Sequence, residues 1–150
     1  MLFSRILVAV DGSESSDKVF DIAAQLSKLS GGKLLVVHVI QPLSVGGSGF
    51  DYYPDSSTLE RLQKDLEERG KSLLSKYSSY AEKKYNIAVE TILAKGSSSP
   101  ADVILREASS KAADLIVVGS KGFSGVKQFF IGSVPNSVLH QADIPVLLVK

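Results

Sequence analysis

The stretch Leu115-Ile116-Val117-Val118-Gly119 runs directly into Ser120-Lys121-Gly122-Phe123-Ser124-Gly125-Val126-Lys127-Gln128-Phe129-Phe130-Ile131-Gly132-Ser133. Four consecutive apolar residues, three of them β-branched, predict a short strand buried on both faces, ended by Gly119. A glycine-punctuated loop follows. Gly132-Ser133-Val134 then opens a short helix, expected from about Val134 to Ala142. Strand, glycine loop and helix in that order are the unit of an α/β fold, and the same unit recurs on either side.

Upstream, Arg5-Ile6-Leu7-Val8-Ala9-Val10 reads as a buried strand closed by Asp11-Gly12-Ser13. Val19, Ile22, Ala23, Leu26 and Leu29 then mark one face of a helix that Gly31-Gly32 stops. Leu34 to Ile40 is a second buried strand. Residues 41–56 read as a long loop, behind which Ser57-x-x-Glu60 forms a capping box. Leu59, Leu62, Leu66, Leu73, Tyr77 and Tyr80 carry the helix onward. Val89 to Leu93 alternates, the pattern of a strand near an edge. Ser99 caps a helix with Pro100 in its first position and Ala101, Ile104, Leu105, Ala108 and Ala112 as its stripe. Downstream, Pro145 to Val149 closes the chain as a fifth strand. Five strands alternating with four helices predict one open parallel sheet, helices on both faces, in a single domain over residues 1–150. Ligands of such sheets bind beyond the carboxyl ends of the strands.

Composition narrows the function. Lys+Arg 17 against Asp+Glu 16 leaves a net charge of +1, no footprint for nucleic acid or an anionic membrane. No apolar run approaches the ~20 residues of a membrane span. The opening Met1-Leu2-Phe3-Ser4-Arg5 lacks a signal-peptide layout, so a cytoplasmic location is expected. The absence of cysteine removes disulfides, thiolate zinc sites and iron–sulfur clusters. No metal site and no catalytic group is expected.

The loop after the fourth strand meets three requirements of a phosphate site. Gly119 and Gly122 allow close backbone approach. Lys121 and Lys127 supply positive charge. The helix opened by Gly132, Ser133 and Val134 presents free amides at the positive end of its dipole. Glycines that merely let a surface loop turn are the plainer alternative, but the strand–loop–helix setting favours phosphate.

Gly119-x2-Gly122-x9-Gly132-Ser133 resembles the G-x2-G-x9-G-[ST] motif of the universal stress protein family, in its ATP-binding branch. The likeness extends over essentially the whole chain. It includes Ile6 to Ser13, His38-Val39, Leu115 to Ser120 and Ile144 to Val149. The resemblance implies a Rossmann-like sheet, akin to the adenine nucleotide alpha hydrolases, in order 3-2-1-4-5. It also implies ATP, AMP or ADP as ligand, with or without Mg2+ on the phosphates. Ala9, Asp11 and Val39 would meet the adenine and ribose, and Val118 would form pocket wall. Gly119, Lys121 and Gly122 would lie along ribose and phosphates; Gly132, Ser133 and Val134 would hold the phosphates. A homodimer through Val146 to Val149 is implied as well, which would cover an open sheet edge. The chain departs from the family's habits at Val118, where methionine is common, at Lys121, and at Pro135 in the first turn of the last helix.

Asp11 is equally well explained as a turn former, and Ser13 and Ser15 as helix caps. His38, within an apolar strand, is expected buried and hydrogen-bonded; His140 suits the end of the last helix. Gly46 to Pro54 is a candidate lid or an ordinary loop. No window supplies a Walker A loop, a first-strand G-x-G-x-x-G, a receiver-domain aspartate after strand three, or a Gly-x-Ser-x-Gly elbow. A flavodoxin-like FMN site through the serines of residues 13–16 stays open. The expected role is a nucleotide-binding stress-response module. A slow ATPase or phosphotransferase and a nucleotide-independent dimeric interaction module are the alternatives, since no base or Mg2+-binding carboxylate is evident.

Overall fold

The computed structural model describes residues 2–43, 55–96, 98–120 and 131–150. Five strands and four helices alternate: β1 (Arg5–Ala9), α1 (Glu14–Ser30), β2 (Lys33–Ile40), α2 (Ser56–Tyr85), β3 (Val89–Lys95), α3 (Pro100–Ser110), β4 (Leu115–Gly119), α4 (Ser133–Gln141) and β5 (Val146–Val149). All pairings are parallel, in the order β3-β2-β1-β4-β5. The alternating β3 is an edge strand, as its pattern requires.

Each face of the sheet carries its own core. Ile6, Val8, Leu34, Val36 and Val117 point toward α1 and α2, where Phe20 and Tyr77 fill the layer. Leu7, Leu35, Val37, Ile116 and Val118 point toward α3 and α4. The central strands are therefore apolar on both sides, and burying each such side chain contributes about 1.5–3 kcal/mol. Phe20 and Tyr77 pack with ring centroids 4.6 Å apart.

The helix ends follow local chemistry. Ser13 caps α1, accepting from the Ser16 amide at 3.3 Å, and Gly31 ends it at φ 72 in the left-handed region. Ser99 caps α3 and Pro100 occupies its start. Several expectations need correction. Helix α2 is capped by Asp55, whose Oδ1 takes the Thr58 amide at 3.0 Å, so it begins before the Ser57 capping box. A carboxylate in the right extended backbone (φ -65, ψ 163) captured the Thr58 amide and set the cap two residues early. Leu29 lies 85% exposed and Leu62 44%, because the helices meet the sheet over only part of their length. Ala112 lies beyond the end of α3 at φ 52, exposed. Helix α4 runs from Ser133 to Gln141, one residue earlier at each end than expected.

Candidate functional site

Strand β1 ends before its neighbour β2 does. Its pairing with β2 stops at Ala9 opposite Val37, while β2 and β3 stay paired to Ile40 opposite Lys95. Val10 fixes the exit of β1: its amide donates to the Val37 carbonyl at 2.9 Å, and its own carbonyl accepts from His38 Nδ1 at 2.9 Å. A carbonyl can only accept, so the His38 proton sits on Nδ1. Backbone direction alternates along a strand. Val37 turns its carbonyl toward β1, and Val39, two residues on, turns its amide and carbonyl the same way. There β1 has already left the sheet.

A cleft of about 730 Å³ occupies this gap. It lies in continuation of the sheet, and both layers wall it. Ala9, Val39, Val118, Ile104 and Val134 come from the α3–α4 side, whereas Val10, Val19, His38, Leu66 and Leu73 come from the α1–α2 side. Asp11 and Gly119 stand at the ends of β1 and β4, on opposite sides of the point where the strand order reverses. Asp11 Oδ1 accepts from the Ser13 amide at 2.9 Å and the Ser13 hydroxyl at 2.6 Å. Its amide donates to Ser16 Oγ at 3.0 Å. The turn-forming reading of Asp11 is met, and the residue also lines the cleft.

The helix start beside the cleft has no side-chain cap among the described residues. Gly132 is the N-cap of α4. Its amide turns back to the Ser120 carbonyl at 3.0 Å, and the Ser120 amide donates to Val149 at 2.8 Å. The two ends of the glycine loop are thereby tied together. Pro135 has no amide, and Asn136 donates to Gly132, so Ser133 and Val134 carry the amides without an intrahelical partner.

Of the residues singled out from sequence, Ala9, Asp11, Val39, Val118, Gly119 and Val134 line the cleft. Gly132 and Ser133 stand beside it without lining it, since Pro135 and Val134 project there and the Gly132 amide is spent on Ser120. Lys121, Gly122 and the Gly46–Pro54 stretch lie outside the described residues. His38 is hydrogen-bonded as expected but only half-buried, with its ring on the cleft. His140 ends α4, exposed. Sequence reasoning missed the wall from α2: Leu66, Arg69, Gly70 and Leu73. The signal was Gly70, an isolated glycine deep inside a helical pattern, which costs about 1 kcal/mol and so needs a packing reason. A Cβ there would come within 2.6 Å of Leu93 Cδ1, 3.1 Å of the His38 ring and 3.2 Å of Ile40 Cδ1. No group of three metal-ligating side chains exists among the described residues, and no helix there is long and apolar enough to cross a membrane.

The universal stress protein family model matches residues 2–150. The chain belongs to this family. Universal stress protein YxiE of Bacillus subtilis is 36% identical over 152 residues, covering 99% of this chain and 100% of the relative. The fold matches that of the universal stress protein UspA from Lactobacillus plantarum with a TM-score of 0.82 at 20% identity, over 98% of this chain and 97% of that one. The universal stress protein from Archaeoglobus fulgidus, solved in complex with dAMP, is 28% identical with a TM-score of 0.66, each chain covered in full. The order expected for the family, 3-2-1-4-5, is the order observed.

Proposed function

We propose that this universal stress protein binds an adenine nucleotide, ATP foremost, and acts as a regulatory module whose surface changes with occupancy. The observation that carries the reading is the gap beyond Ala9. A planar base placed there would extend the sheet, with the Val39 amide and carbonyl as donor and acceptor along its edge. Its two faces would meet apolar walls from both layers. Asp11 would meet the ribose hydroxyls. The phosphates would run past Gly119 toward the open amides of Ser133 and Val134 at the positive end of α4. Lys121 and Gly122, by their place in the motif, would accompany them, and Mg2+ would arrive on the phosphates. The dAMP-bound relative supports the adenine class.

Copies of the chain are further proposed to pair through β5. Val146, Leu147 and Leu148 remain half-exposed on an edge strand with only β4 as neighbour, an arrangement that proteins commonly cover.

Thermal melts with and without Mg-ATP test the ligand. At a hundredfold excess over Kd, binding linkage contributes ~2.7 kcal/mol. For a chain of this length that raises Tm by several degrees. Melting curves that coincide with ATP, ADP and AMP alike would rule the reading out.

A further inference from the structure

Helix α2 divides at Gly70. Its buried residues are Gly70, Leu74, Tyr77, Ala81 and Tyr85; residues 56–69 contribute none. The polar ties divide in the same way. Asp17 and Asp21, one turn apart on α1, hold the second half: Tyr77 donates to Asp17 at 2.6 Å, and Tyr80, Lys84 and Tyr85 all reach Asp21 Oδ1. The first half has an exposed ion pair from Glu67 to Lys95 at 2.7 Å and a 3.4 Å bond from the Leu43 amide to Gln63. Few buried contacts and exposed bonds mark a segment that opens locally at low cost.

At the junction sits Arg69. It is exposed, lines the cleft, and has no carboxylate within ion-pair distance among the described residues, although Asp65 and Glu68 are close in sequence. The described lining holds this one arginine and no lysine. Gly70 brings the helix backbone against His38 and Ile40, the two neighbours of Val39. Arg69 therefore stands beside the point where the proposed base would sit, on the α1–α2 side, and α4 lies on the other layer.

We propose that Arg69 is a ligand-contacting residue, its guanidinium closing over the α2-side face of a bound purine and drawing residues 56–69 onto the cleft. A guanidinium is planar and stacks on aromatic faces, which an ammonium does not do equally. The inference rests on the adenine-nucleotide reading and assigns the base, not the phosphates, to this arginine.

The test compares the wild type, Arg69→Gln and Arg69→Lys by calorimetric titration with Mg-ATP and with inorganic triphosphate, and by amide hydrogen exchange. In the wild type, residues 56–69 exchange faster than 70–85 without ligand and slow on adding Mg-ATP. Arg69→Gln weakens Mg-ATP by about tenfold, within the range of one desolvated stacked cation. It also removes the added protection and leaves triphosphate binding unchanged; Arg69→Lys falls between. Mg-ATP bound as tightly by Arg69→Gln as by the wild type overturns the inference while the nucleotide reading stands. So does an equal loss toward triphosphate, or equal exchange in both halves of α2. A wild type that binds no adenine nucleotide sinks the nucleotide reading itself, and this contact with it.

Discussion

Tyr77 shows how one side chain serves two ends. Its ring is 2% exposed and packs on Phe20, while its hydroxyl reaches Asp17 at 2.6 Å. Burial, then the Asp17 carboxylate, pushes the phenol well above its usual range, so it stays a donor. Tyr77→Phe keeps the packing and strands one acceptor. Chemical denaturation should show a loss of about 1 kcal/mol, and an unchanged midpoint would mean that water replaces the hydroxyl at no cost. Gly31 offers a contrasting case: a Cβ would meet nothing within 4 Å, yet its φ of 72 disfavours any side chain. Gly31→Ala should therefore cost about 1 kcal/mol through the backbone alone, and Gly31→Asn less. Gly132 differs again. Its φ is -58, and a Cβ would make ordinary contacts with Pro135 and the Ser120 carbonyl at 3.5–3.6 Å. Gly132→Ala should lower Tm by a few degrees, because alanine caps a helix less well than glycine, and nucleotide affinity measured well below that Tm reports on the ligand and not on the fold.

Among the elements, the amino-terminal end of the sheet carries a small cluster of paired charges. Glu90 on β3 bridges Lys111 beyond α3 at 2.6 Å and Lys33 at the start of β2 at 2.7 Å. Hydrogen bonds from Lys111 and Lys33 hold its carboxyl down to about 2 from an ordinary 4.5. A depressed folded-state value means that the stabilisation is present above the unfolded value and is lost as pH falls through the folded one. Stability should accordingly decline from about pH 4.5 toward 2, and Glu90→Gln should flatten that part of the curve. Parallel curves for the two proteins would assign the acid sensitivity elsewhere. The bridge is largely solvent-exposed, so its worth at neutral pH is small. A second carboxylate, Asp21, works at the α1–α2 seam. Partial burial raises it, but hydrogen bonds from Tyr85, Tyr80 and Lys84 outweigh this and keep it below the ordinary range.

For the whole molecule, the open edge at β5 is where the proposed pairing of copies would act. The Pro145 carbonyl accepts from Ile116 and the Val149 carbonyl from Ser120, so alternate residues Val146 and Leu148 direct their backbone groups outward. Leu148→Pro removes an outward amide while sparing the bonds to β4. If copies pair through this edge, sedimentation at fixed concentration should shift from dimer to monomer in that variant. A dimer that survives the proline would place the contact on another surface.

The sequence by itself determined the strands, because continuous β-branched runs can be buried only between two layers, and it determined most helix ends, because caps and left-handed glycines act over three or four residues. The last helix was readable for the same reason. Asp55 displaced the Ser57 cap by equally local chemistry that composition alone does not rank. Tertiary structure decided where β1 stops relative to β2, and hence that a gap opens beside Val39; register is a property of two distant segments. It also decided that α2 supplies a wall of the cleft, through Gly70 against Leu93, His38 and Ile40. Such a contact joins residues far apart in the chain, and periodicity, which reports only which face of an element is apolar, carries no record of the element that face will meet.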